Sequence, residues 1–175
     1  MRDRKVKGYH DSETPKEIRD LWQTPREVFD YYDRRFMFEW DLAASKENKL
    51  CNWYCSEGDN SAFKQSNKGF DGAVFCNPPY SDINPWVELC IDISRQSKVP
   101  VLMLIPADTS VKWFKLAFEN CTECHLISGR LSFINAETQK PVSGNNKGSV
   151  VFIFDSNSPI KQSVVLIDRK DIAGK

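Results

Sequence analysis

A short apolar run, Ala73-Val74-Phe75-Cys76, breaks off into Asn77-Pro78-Pro79-Tyr80-Ser81, and few folds accommodate both halves. The run reads as a buried strand. The two prolines then end it, because neither can donate to a sheet ladder. Each proline also forces the residue before it towards extended geometry, so the chain leaves the sheet stiffly. That exit offers an amide oxygen on Asn77, a spare acceptor on the Pro78 carbonyl and the Tyr80 ring in fixed relation. Two such acceptors can hold both hydrogens of an exocyclic amine while the ring stacks on the heterocycle that bears it. A Pro-rich turn closing a core strand is the plainer alternative. Placement after a strand favours a site, since open α/β sheets bind ligands beyond their strand carboxyl ends.

The rest of the chain supplies an alternation of helices and strands. Residues 1–21 are polar, with Arg2, Arg4, Lys5 and Lys7 near the start, and read as a flexible arm that is solvated or touches phosphate. Thr24-Pro25-Arg26-Glu27 has the pattern of a helix start, with Thr24 as cap and Glu27 completing a capping box. Val28, Phe29, Tyr32 and Phe36 then mark one helical face, ending near Arg35. Phe36 to Trp40 reads as the first strand and delivers Asp41 to its carboxyl end. Small Ala43 and Ala44 follow, where backbone can approach a ligand, although the usual Gly-x-Gly is missing. Residues 45–70 hold one strand between Leu50 and Tyr54 and a loop with Glu57 and Asp59.

Beyond the organising motif, Asn84-Pro85 opens a helix whose Val87, Cys90, Ile91 and Ser94 face inward. Val99 to Ile105 is a central parallel strand, and Val111 to Glu119 a helix. Leu131 to Ile134 and Ser149 to Phe154 read as an antiparallel pair around the polar loop Asn135 to Gly148. Val164 to Ile167 adds an edge strand, and residues 169–175 form a polar tail. A single domain over 22–168 with a Rossmann-like, mostly parallel α/β sheet and an antiparallel terminal hairpin is the expected fold.

Equal numbers of basic and acidic residues, 24 each, give no global attraction to nucleic acid, so any such contact must be local. The polar loop is the natural place: Asn145 and Asn146 carry amides suited to base edges, and Lys140 and Lys147 suit phosphate. Arg130 adds a cation just before it. An ordinary hairpin loop is the competing reading. Six cysteines without a signal-peptide pattern or a long apolar segment predict a reduced, cytoplasmic chain with no membrane partner. Cys51/Cys55 and Cys121/Cys124 read as buried thiols rather than a zinc site, so no metal is expected.

Asn77-Pro78-Pro79-Tyr80 resembles the catalytic motif of methyltransferases that act on adenine N6, cytosine N4 or glutamine amides. Trp22-Gln23-Thr24-Pro25, Asp41-Leu42-Ala43-Ala44 with Asn48, Ile105-Pro106-Ala107, Trp113-Phe114 and Gly129-Arg130-Leu131-Ser132-Phe133 occur in the same order. Over about residues 22–155 the series resembles the small phage-type DNA N6-adenine methyltransferases, the phage Dam family. The resemblance implies S-adenosylmethionine as cofactor, double-stranded DNA as partner and the cytoplasm of a bacterial host as location. It places Asn77, Pro78, Pro79 and Tyr80 at the reacting amine, and Gln23, Thr24 and Pro25 at the methionine end of the cofactor. Asp41, Ala43, Ala44 and Asn48 would line the cofactor, with a loop acid, Asp59 ahead of Glu57, on its ribose or adenine. An RNA base or a glutamine amide as methyl acceptor, or an inactive binding module on the same fold, are the alternatives.

Overall fold

The computed structural model describes residues 20–56, 58–142 and 147–174. Seven strands form one sheet: β1 Phe38–Asp41, β2 Trp53–Tyr54, β3 Ala73–Cys76, β4 Val101–Pro106, β5 Glu123–Ser128, β6 Ser149–Phe154 and β7 Ser163–Asp168. Their spatial order is β2-β1-β3-β4-β6-β5-β7. The first four in that row are mutually parallel, and β7 is parallel to β5. Strand β6 runs antiparallel to both β4 and β5. This is a mostly parallel α/β sheet with antiparallel pairs, as expected for a Rossmann-like methyltransferase fold.

Helices cover both faces, which explains why the central strands are continuously apolar rather than alternating. Helix α1 (Arg26–Phe36) and a short C-terminal helix α5 (Arg169–Ile172) cover one face. There Val28, Phe29, Tyr32 and Ile172 pack with Phe75, Leu102, Leu104, Val151 and Ile153. Helices α3 (Asn84–Ser97) and α4 (Lys112–Asn120) cover the other, against Val74, Cys76, Met103, Ile105 and Phe152. A four-residue helix, α2 (Ala62–Gln65), and a 3-10 turn (Gly58–Asn60) fill the link from β2 to β3.

Three local readings change. The first helix runs to Phe36, and Met37 closes it in a left-handed conformation at φ 53°, with its N–H on the Asp33 carbonyl. Asp33 Oδ1 then accepts from Phe38 N at 2.8 Å, so the strand starts at Phe38 rather than Phe36. Leu131–Ile134 is not the antiparallel partner of β6; that partner is β5. Ile134 instead bridges Gln23 on one side and Pro141 on the other, outside the main sheet. The stretch read as a polar tail continues the fold: Asp168 caps α5 by accepting from Lys170 N at 2.8 Å, and Ile172 is buried against the α1 face. The 1–21 arm lies outside the described residues except for Asp20 and Leu21.

Connectivity sets the place of a site. From β1 the chain goes outward to β2, then returns to β3 on the opposite side of β1. The carboxyl ends of β1 and β3 therefore flank a topological switch point, where loops diverge and leave a crevice. Asp41 and Phe75 are in register there, and Leu42 N donates to Phe75 O at 2.9 Å.

Candidate active site

Three segments far apart in sequence meet at that end of the sheet. Asn77 leaves β3 with its side-chain Nδ2 donating to Thr24 Oγ1 at 2.9 Å. The Thr24 hydroxyl is therefore committed to Asn77, and the start of α1 carries no side-chain cap, contrary to the capping-box reading. Pro25, at φ −58°, occupies the cap position without needing one. Gln23 is fixed through its backbone, exchanging hydrogen bonds with Ile134 at 2.8 and 2.9 Å. Phe133, 1% exposed, then stacks on Trp22 with centroids 6.2 Å apart and takes the edge of Tyr80 at 6.0 Å. Trp22-Gln23-Thr24, Asn77 to Tyr80 and Leu131 to Ile134 thus make one unit. Ser81 N is held in turn by Asp20 Oδ1 at 3.0 Å.

The polar atoms of this unit are unevenly satisfied. Asn77 Oδ1 is buried without a hydrogen-bond partner, as are Trp22 Nε1 and the Tyr80 hydroxyl. Burial pushes the Tyr80 phenol far above its ordinary range, so it stays protonated. An unmet buried acceptor costs about 1–3 kcal/mol, which a fold retains where a ligand supplies the missing donor. Tyr80 is half-buried, with its hydroxyl inside.

Asp41 is the second unusual group. It is 4% exposed, and its oxygens accept from Leu50 N at 3.2 Å and Ala43 N at 3.4 Å. Burial raises its carboxyl to about 6, with those two amides only partly opposing. No side-chain cation of the described residues lowers it. The neighbouring Ala44 N donates to Cys55 O at 3.0 Å, and Asn48 Oδ1 accepts from Ser45 N at 2.6 Å. The alanine amides and Asn48 therefore shape the loop after β1. Asp59 follows β2 in the 3-10 turn; its side chain and Glu57 lie outside the described residues.

Residues 11–175 match the family model described as DNA N-6-adenine-methyltransferase (Dam). The chain belongs to this family. A DNA N-6-adenine-methyltransferase of Escherichia phage T1 is 40% identical over 162 residues, covering 83% of this chain and 67% of that protein. One from Haemophilus phage HP1 (strain HP1c1) is 32% identical over 152 residues, covering 85% and 86%.

In this Dam-family chain the cations singled out in the sequence lie in the segment that links β5 to β6. Arg130 follows β5 after Gly129, whose φ of 87° turns the chain away from the strand. Lys140 ends a tight turn in which Asn135 Oδ1 accepts from Glu137 N and Thr138 N at 2.9 and 2.8 Å. Val142 N returns to Phe133 O at 2.7 Å, so the first half of the expected loop is a small ribbon anchored on the aromatic junction. Lys147 sits across from the end of β4, paired with Asp108 Oδ2 at 2.7 Å. That contact, with Ser110, holds Asp108 down at about 2. Asn145 and Asn146 lie outside the described residues.

The cysteines are free thiols, all buried. Burial raises Cys55 and Cys124 to about 11 and Cys121 to about 12, which makes them poor nucleophiles. Among the described residues no group of His, Cys, Asp or Glu is arranged to hold a metal, and no helix is long and apolar enough to cross a membrane. Sequence reasoning missed Asp20, which carries no local signal, and the aromatic junction, which appears only once Phe133 leaves the sheet.

Proposed function

We propose that this chain methylates the N6 amine of adenine in double-stranded DNA, using S-adenosylmethionine, on a base turned out of the helix. The observation that carries the reading is Asn77: its amide nitrogen is fixed by Thr24 while its oxygen stays buried and unpartnered. Such an oxygen suits an amine hydrogen. An adenine amine is a weak nucleophile because its lone pair is delocalised into the ring. Asn77 Oδ1 and the Pro78 carbonyl, accepting one hydrogen each, favour a pyramidal nitrogen whose lone pair can be aimed. Orientation and fixed dipoles supply the catalysis, and no protein nucleophile is involved. The amine is inaccessible within a duplex, so the base must be extruded; Tyr80 offers ring surface in place of lost stacking.

S-adenosylmethionine, when bound, supplies a methyl group on a positively charged sulfur. Asp41 fits such a ligand: a carboxylate buried at the switch point without a side-chain cation is matched by a cationic ligand. Gln23, Thr24, Pro25, Ala43, Ala44, Asn48 and Asp59 surround the crevice in this reading. Thr24 acts chiefly by orienting Asn77.

Two tests address the parts. Thr24→Val keeps shape but removes the hydroxyl, and should lower kcat about tenfold to a hundredfold with the cofactor KM within a few-fold. Thr24→Ser should restore most of the rate. A valine variant at wild-type kcat would remove Thr24 from the mechanism. For DNA, Lys140→Ala should weaken binding to all sequences and reduce the salt slope by about one. Arg130 and Lys147 belong to the same phosphate contact, while Asn145→Ala or Asn146→Ala should relax site preference. Unaltered binding and site choice after shortening this loop would move recognition to the basic arm or to residues 57–70.

A further inference from the structure

Strand β7 ends the sheet with its outer edge uncovered among the described residues. Ser163 N points inward, donating to Thr122 O at 2.9 Å. Amide direction alternates along a strand, so the N–H and C=O groups of Val164 and Leu166 point outward. The side chains here are apolar and open: Val164 is 55%, Val165 38% and Leu166 71% exposed. Soluble proteins blunt such edges with lysine, proline, a bulge or a covering segment. Ser163 to Ile167 contains no lysine or proline, and its register with β5 is unbroken.

We propose that two copies of the chain pair through β7, antiparallel and edge to edge, across a two-fold axis at Val165. The backbone selects this register. With Val165 opposite its own copy, Val164 faces Leu166 of the second chain and Leu166 faces Val164. The outward groups of both residues are then paired by four hydrogen bonds. Val164 and Leu166 of the two chains form one apolar cluster, on the sheet face that also carries Leu126. The ends agree in charge: each strand is preceded by Lys161 and closes with Asp168, so antiparallel pairing brings opposite charges near each other. Arg169 turns out of the strand into α5, its Cβ 3.3 Å from where a side chain on Gly129 would begin.

A second copy is the occupant because the arrangement is self-complementary and closes on itself. The chain's own first 19 residues are too polar to cover Val164 and Leu166, and they lack alternating apolar positions. Pairing in this sense points the two strand carboxyl ends, and their sites, in opposite directions. Each site therefore works without the other.

Sedimentation of the wild-type chain should show a concentration-dependent dimer, and Leu166→Lys should leave it monomeric with DNA methylation within twofold of wild type. The register has its own signature. In this pairing Val165 forms a non-hydrogen-bonded pair, where Cα atoms lie closest and a disulfide closes readily. Under mild oxidation Val165→Cys should convert largely to a covalent dimer, while Leu166→Cys should not. A wild-type chain that is monomeric up to roughly 100 µM overturns the proposal, since even weak specific interfaces register there. A dimer that survives Leu166→Lys, or that Val165→Cys fails to cross-link, overturns it equally.

Discussion

Replacing Asn77 by alanine is expected to lower methyl transfer by about a hundredfold to a thousandfold, the usual effect of removing one preorganised dipole from a reacting group. Cofactor affinity should stay within a few-fold, because the side chain is directed at Thr24 and at an unfilled acceptor position. The fold should tolerate the change. Alanine removes an unsatisfied oxygen as well as one hydrogen bond, and these contributions oppose each other at about 1 kcal/mol each. Single-turnover methylation with saturating cofactor separates the cases. A variant that still transfers methyl groups near the wild-type rate would remove Asn77 from the chemistry.

Asp41 should show the second large effect, visible both in stability and in binding. Its carboxyl stands at about 6 in the folded chain against an ordinary value of 3.8. The folded state thus holds this proton more tightly than the unfolded one. Stability is therefore lost as pH rises from about 4 to about 6 and levels off above, a total near 3 kcal/mol at about 1.4 kcal/mol per unit. Asp41→Asn should abolish that contribution. The stability difference between variant and wild type should then move by about 2 kcal/mol in the variant's favour between pH 4 and 7. The same substitution should weaken S-adenosylmethionine binding by about 1.5–3 kcal/mol, the range of a charge-assisted contact. Wild-type affinity should rise as pH passes through 6. Unchanged affinity by calorimetry, with the pH slope removed, would leave Asp41 as a clamp for the loop it already holds.

Much of the fold was legible because its strands are buried on both faces. Ala73–Cys76 and Val101–Ile105 are runs with no polar interruption, the first closed by Asn77 and two prolines and the second by Pro106. The order of motifs likewise located the crevice, since Asp41 and Asn77 close strands that lie side by side. Illegible features depended on contacts across long separations. Thr24 has every local mark of a helix cap, yet a partner 53 residues away takes its hydroxyl. Leu131 to Ile134 has strand-like composition, but the antiparallel place beside β6 is filled by Glu123–Ser128, a stretch whose Cys124 to Ile127 already reads as a strand while its pairing with β6 has no local signal. Glu123 is acceptable there because Arg35 pairs with it from α1 and His125 shares it at 3.0 Å. Ile172 could not be distinguished from tail residues until α5 brought it under α1.

The central claim is tested most directly by incubating the chain with plasmid DNA and methyl-labelled S-adenosylmethionine, then resolving the nucleosides. The account predicts label in N6-methyldeoxyadenosine alone, lost with Asn77→Ala and reduced but present with Thr24→Val. Label in a cytosine derivative, or in RNA or a glutamine-containing protein but not in DNA, would contradict it.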